Sequence, residues 1–111
     1  MPELPEVETV CRSLRPFLIG KTVEKCEVKE EKLIKSSTAA EFVQDICGST
    51  FTAVNRRGKY ILLETDKGET LVVHLRMTGK LLISDKTEEV GKHTHVRFIL
   101  NDDQKELRYD D

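Results

Sequence analysis

The sequence predicts an α+β domain, with an N-terminal helix and a second short helix packed on a mainly antiparallel β-sandwich or flattened barrel. Three observations carry this expectation. Apolar residues recur at helical spacing in only two stretches, one behind Pro5 and one behind Thr38. Beyond Gly48 they fall in short runs separated by turn-forming Gly, Asp and Asn. A length of 111 residues suffices for one core but not for two, so residues 1–111 are read as one domain.

The first helix is expected from Pro5 to Arg15, where Val7, Val10, Cys11 and Leu14 form one buried stripe. Pro5 suits the first helical position, and Glu6 and Glu8 suit the positive end of the helix dipole. Pro16 should end or kink the helix, and Gly20 closes the segment. Val23–Lys29 reads as a strand. Thr38 and Glu41 form a capping box for the second helix, whose apolar face is Ala39, Phe42, Val43 and Ile46, and Gly48 stops it. Strands follow at 50–56, 59–65, 69–76, 80–84, 93–100 and 105–109. Asp66-Lys67-Gly68 and Asn101-Asp102-Asp103 are hairpin-type connections, Thr78-Gly79 marks a tight turn, and residues 85–92 form a polar loop.

Charged residues make up 34% of the chain and apolar residues 38%, a globular rather than disordered or membrane composition. No apolar run approaches a bilayer span, and the acidic N-terminus is unlike a signal peptide. Cys11, Cys26 and Cys47 are odd in number and lack a Cys-x-x-Cys pair. They suggest a reducing compartment, with the cytoplasm as default, rather than a disulfide framework or zinc site. The net charge of −2 argues against a nucleic-acid partner unless the charge is unevenly placed. It is uneven. Arg56, Arg57, Lys59, Lys67, Arg76 and Lys80 face only Glu64, Asp66 and Glu69 in that stretch, and most acids lie elsewhere.

Four segments could carry chemistry. The first is Pro2-Glu3 with Glu6. An α-amino group ionises at about 7.7–8.0, well below lysine, so more of it is free base at neutral pH. A secondary amine adding to an aldehyde-level carbon loses water to give a permanently charged iminium, a strong electron sink. Glu3 could move protons, and Glu6, one helical turn on, could tune the pair. Helix starts are nevertheless far commoner than N-terminal nucleophiles, and the residues alone favour that plainer use. The second is Asn55-Arg56-Arg57-Gly58-Lys59-Tyr60, where Gly58 permits a bend and two arginines beside Lys59 suit a phosphate. A solvated hairpin tip accounts for it at least as well.

The third runs from His74 through Arg76, Met77 and Gly79 to Lys80. An exposed Met at a turn, flanked by cations, can wedge into a base stack, although a lone Met more often fills a gap in a core. The fourth is the strand face of His93, His95 and Arg97, opposite Val96, Phe98 and Leu100. His-x-His is half a metal site, but no third ligand is evident, so a polar face touching phosphate is preferred.

Taken together, "PELPEVETV", "GKTV", "RRGKYILLE", "HLRMTGKL", "HTHVRFIL" and "LRYDD" closely resemble the N-terminal domain of bacterial formamidopyrimidine-DNA glycosylases, in order and spacing. The opening nonapeptide is highly specific, and Leu4 favours this family over the related endonuclease-eight family, which typically has Gly there. The resemblance implies base-excision repair by a glycosylase and abasic-site lyase that removes 8-oxoguanine and formamidopyrimidines. Pro2 would attack C1′ of the damaged nucleotide, and Glu3 would donate the proton that assists base loss. Lys59 would contact phosphate and donate a proton in the elimination. Met77 would fill the gap left by the flipped nucleotide, and His93 would contact the DNA backbone. Glu6 completes the catalytic candidates, and Arg57, His74 and Arg76 complete the DNA-binding ones.

The family pattern continues past Asp111 into an Arg and a Phe that complete the wedge, then a helix–two-turn–helix module and a zinc finger. The expectation is therefore an incomplete N-terminal domain with no cofactor of its own, zinc belonging to the C-terminal module. The parent is expected to be a monomer on damaged double-stranded DNA, while open strand edges invite self-association of the shorter chain. Its activity also requires loss of Met1, without which Pro2 is an amide. Two other readings stand beside this one. A tautomerase-like enzyme would use Pro2 as general base on small keto acids but leaves "RRGKY" and "HLRMTGK" unexplained. A non-catalytic chain that only folds or dimerises would leave the amine unused.

Overall fold

The computed structural model describes residues 4–101 and 104–111. Helix α1 spans Leu4–Leu18 and buries Val7, Cys11, Leu14 and Leu18, with Val10 partly covered beside them. It runs a turn beyond Arg15, so Pro16 neither ends it nor stops its packing. Proline's missing N–H costs the helix one bond to the carbonyl of Arg12. Burial of Leu18 outweighs that loss, and the Ile19 amide still reaches the Arg15 carbonyl at 3.3 Å. Gly20 then turns the chain with φ of 91°.

Strand β1 is Val23–Val28. A 3-10 turn at Glu31–Leu33, which the sequence pattern did not signal, leads to helix α2 at Ala39–Ile46. The expected capping box is present: the Thr38 hydroxyl accepts from the Glu41 amide at 3.1 Å, and the Glu41 carboxylate accepts from the Thr38 amide at 3.0 Å. The donations to that carboxylate from the Thr38 amide and, at 3.0 Å, from the Thr38 hydroxyl hold the Glu41 carboxyl below its ordinary range. Helix α2 lies over β1 and presents Phe42 edge-on to Phe98, with ring centroids 6.1 Å apart.

The remaining strands are β2 Phe51–Arg57, β3 Tyr60–Thr65, β4 Thr70–His74, β5 Lys80–Asp85, β6 Thr94–Leu100 and β7 Lys105–Asp110. They form two separate antiparallel sheets, ordered β2-β3-β4 and β1-β6-β7-β5. The architecture is thus a sandwich rather than a closed barrel. Val54, Ile61 and Leu63 from one sheet and Val96, Phe98, Leu100, Leu107 and Tyr109 from the other contribute to a shared core. Alternation is clean on β6, where buried residues at 94, 96, 98 and 100 oppose partly covered ones.

Strand β7 departs from alternation, because Glu106, Leu107, Arg108 and Tyr109 are all buried. Leu107 and Tyr109 face the core. Glu106 and Arg108 are covered on the outer face, where the Arg108 guanidinium donates to the Glu88 carbonyl at 2.7 Å and to the Asp85 and Glu89 carbonyls at 3.4 Å. The polar loop at 85–92 is therefore fastened back onto the sheet.

Candidate nucleic-acid interface and active-site end

Strand register brings the predicted segments to one end of the sandwich. Arg56 pairs with Ile61 and Arg57 with Tyr60, so Gly58 and Lys59 form the tip of the β2–β3 hairpin. Gly58 takes φ of 59°, a conformation that glycine adopts without steric cost. Tyr60 pairs with His74, which places the exit of β4 beside that tip, and their rings lie with centroids 4.9 Å apart and planes inclined by 34°. The turn at 75–79 leads to Lys80, which pairs with Asp110, and Asp110 also faces Thr94. His93, exposed just before β6, lies at this end too.

Helix α1 points its start in the same direction. Its Arg15 Nε donates to the Val54 carbonyl at 2.7 Å, and the Cys11 thiol lies 3.8 Å from the Asn55 carbonyl. The Gly20 amide donates to the Phe51 carbonyl at 2.8 Å. Helix and strand thus run in opposite senses, and the first turn of α1 comes level with the hairpin tip. Pro2 and Glu3, the predicted nucleophile and proton donor, lie outside the described residues. Glu6 is exposed in the first turn.

The turn that carries Met77 is tightly built. Met77 is 75% exposed, which removes it from the core and leaves the wedge expectation standing. Arg76 adopts φ of 59°, unusual for a residue with a side chain. The Gly79 amide donates to the Leu75 carbonyl at 2.8 Å, and a Cβ at Gly79 would collide with that oxygen and with the Tyr109 hydroxyl. The Thr78 hydroxyl donates to Asp111. Asp111 also donates its amide to the His93 carbonyl at 2.8 Å, and its own carbonyl lies 2.8 Å from His95 Nε2. Burial pushes the Tyr109 phenol upward, with Asp111 adding to the shift and Arg76 opposing it.

Electrostatics divide the predicted cations into two groups. Arg57, Arg76 and Lys80 are exposed, Lys59 is half-buried, and none of the four pairs with a carboxylate among the described residues. Arg56 and Arg97 are committed. Arg56 Nε donates to Glu8 Oε1 at 3.1 Å, and that bond holds the Glu8 carboxyl below its ordinary range, against slight desolvation and with help from Arg15 and Arg12. Arg97 was expected on a face open to phosphate. It is instead locked between Glu106, with bonds of 2.6 and 2.8 Å, and Glu27 at 2.7 Å, which raises its already high ionisation further. Of the polar strand face, His93 remains exposed.

Sequence reading missed the hub role of Glu8, taken only for a helix-dipole residue. Its spacing to Arg12 was a readable signal, whereas its pairing with Arg56 depends on the tertiary fold. Among the described residues no three His, Cys, Asp or Glu side chains converge as a metal site, and no helix is long and apolar enough to cross a membrane.

Residues 1–111 match the family model described as the formamidopyrimidine-DNA glycosylase N-terminal domain. The chain is 49% identical over 111 residues to the formamidopyrimidine-DNA glycosylase of Carboxydothermus hydrogenoformans, covering all of this chain and 41% of that protein. It is likewise 49% identical to the one from Exiguobacterium sp., covering 40% of it. The structure superposes with a TM-score of 0.91 and 30% identity on the Lactococcus lactis protein Fpg (MutM) solved in complex with a FAPY-dG containing DNA, over 98% of this chain and 40% of that one. A complex of inhibited LlFpg with a DNA containing N7-benzyl-Fapy-dG gives 0.92 and 31% identity, over 99% and 40% of the two chains. The chain spans about 40% of the length of the relatives it matches. By sequence over its whole length, and by a fold shared with those complexes, it belongs to the formamidopyrimidine-DNA glycosylase family.

Proposed function

We propose that the protein of which these residues form the N-terminal domain excises oxidised purines from duplex DNA and cleaves the resulting abasic site. The observation that carries this reading is the convergence, in a chain of this family, of the start of α1, the Lys59 hairpin, the Met77 turn and His93 at one cationic end. That arrangement explains how a chain of net charge −2 can approach a phosphate backbone.

In the proposed sequence the secondary amine of Pro2 attacks C1′ and the glycosidic bond breaks, the base leaving with a proton supplied through Glu3. Opening of the sugar yields an iminium. Its positive nitrogen accepts electron density as a proton is lost from C2′, so the 3′ phosphate departs, and a second elimination releases the 5′ phosphate. Lys59, level with the start of α1, serves as phosphate contact and proton donor. Arg57, His74, Arg76 and His93 hold the backbone, while Met77 occupies the gap vacated by the flipped nucleotide. Glu6 orients the Pro2–Glu3 pair from the first turn. Three free thiols at Cys11, Cys26 and Cys47 accord with a reducing, cytoplasmic setting.

Duplex binding tests this reading. A duplex with one 8-oxoguanine should be bound with a steep loss of affinity as salt rises, and Lys59→Ala should reduce the slope by about one charge. Salt-independent binding by the full-length protein, or none, would refute the reading.

A further inference from the structure

The Glu8 carboxylate sits among three guanidiniums. Its Oε1 accepts from Arg56 Nε at 3.1 Å, while Oε2 lies 3.4 Å from Arg12 Nε and 3.7 Å from Arg15 Nη1. Arg56 does a second thing with its other arm: Nη1 donates to the Gly58 carbonyl at 2.9 Å. One guanidinium therefore bridges α1 and the turn of the β2–β3 hairpin, at the peptide group immediately before Lys59. Glu8 lies four residues after Leu4, about 6 Å along the helix axis. The bridge thus joins the segment that delivers residues 2 and 3 to the segment that delivers Lys59.

Without the carboxylate, Arg12, Arg15 and Arg56 would crowd one spot with nothing between them. Arg15 is fixed to the Val54 carbonyl at 2.7 Å and cannot withdraw, so Arg56 would be the group displaced, taking the Gly58 carbonyl with it. We propose that Glu8 is a positioning residue: through Arg56 and the Gly58 carbonyl it sets the place of Lys59 relative to the N-terminal residues. The proposal deepens the glycosylase reading and rests on it for the link to chemistry, though not for the mechanical link.

Two measurements test it separately, on the 111-residue chain with loss of Met1 verified by intact mass. The first is amide hydrogen exchange in Glu8→Gln, which keeps the side-chain shape and removes its charge. Residues 57–60 should exchange about ten-fold faster, with residues 71–73 of β4 unchanged, because a local tie is lost and the sheet is not. Unchanged exchange at 57–60, or equal acceleration throughout, would overturn the proposal. Arg56→Lys, which keeps the charge but not the planar fork, should give the same local pattern.

The second is the rate of covalent trapping on an abasic-site duplex under borohydride. Glu8→Gln should lower it about ten-fold, within the range that small misplacements of a reacting group produce. In a Lys59→Ala background the same substitution should have no further effect. An equal loss in both backgrounds would show that Glu8 does not act through Lys59, overturning the proposal. If the unsubstituted chain gives no adduct, residues 1–111 do not carry out the lyase step by themselves, and hydrogen exchange still decides the tie.

Discussion

Replacing Glu106 with Gln removes one negative charge from a wholly buried position. Glu106 is fully buried, and its carboxylate accepts from Arg97 Nε at 2.6 Å, Arg97 Nη2 at 2.8 Å and Arg108 Nε at 2.7 Å. Arg97 keeps a second partner in Glu27, but Arg108 is itself buried, and its remaining contacts are mainly backbone carbonyls of the 85–92 loop. The amide would leave that guanidinium without a buried counter-charge, a change that costs about 3–5 kcal/mol. With about 4–8 °C lost per kcal/mol in a domain near this size, the melting temperature should fall by some 10 °C or more. Stability over pH gives a second reading of the same site. Burial pushes the Glu106 carboxyl up, yet the bonds from Arg97 and Arg108 outweigh it and hold the group below its ordinary range. A depressed carboxylate stabilises the fold above its unfolded value, near 4.3, and loses that contribution as pH falls through the folded value. Thermal or urea unfolding at pH 7 and at pH 3 should therefore show a large gap between parent and Glu106→Gln at neutrality that narrows in acid. A loss below about 1 kcal/mol at pH 7, typical of exposed ion pairs, would refute the claim that this network is a buried one.

Gly79→Ala should destabilise the domain by more than the few tenths typical of surface changes, because its Cβ meets the Leu75 carbonyl and the Tyr109 hydroxyl; chemical denaturation measures it, and a neutral result would contradict the close approach. Thr38→Ala should cost about 1 kcal/mol through loss of the α2 cap, and urea unfolding that shows no change would mean the capping box contributes nothing in solution. Alkylation by iodoacetamide at pH 8 should modify half-buried Cys47 well before Cys26, whose thiol is pushed up to about 12 by burial, with Cys47 and Glu27 adding to it. Peptide mapping that finds Cys26 modified first would contradict that environment.

Local rules made most of the fold legible. The capping box at Thr38 and Glu41, the alternation along β6 and the Asp66–Gly68 connection are short-range signals, and each structural counterpart lies within a residue or two of its expected place. Where tertiary packing overrode a local rule, sequence reading failed. Pro16 stays helical because Leu18 is wholly buried, and β7 loses its alternation because a distant loop folds across it. The site shows the same division. Lys59, His74, Arg76, Met77 and His93 were readable as motif residues, and strand register gathers them at one end. Arg56 and Arg97 looked just as available in sequence. Their engagement by Glu8, Glu27 and Glu106 arises from residues that are 48, 70 and 9 positions away, and spacing along the chain carries no trace of the first two.

The central claim of the proposed function is that an N-terminal proline amine attacks the sugar of a damaged nucleotide. Borohydride trapping on a duplex with a single abasic site tests it most directly, since that substrate needs no base recognition. The account predicts a covalent adduct mapping to residue 2 in the chain lacking Met1, and none in Pro2→Gly. An adduct mapping to Lys59 or another lysine, or one of equal yield in Pro2→Gly, would contradict it.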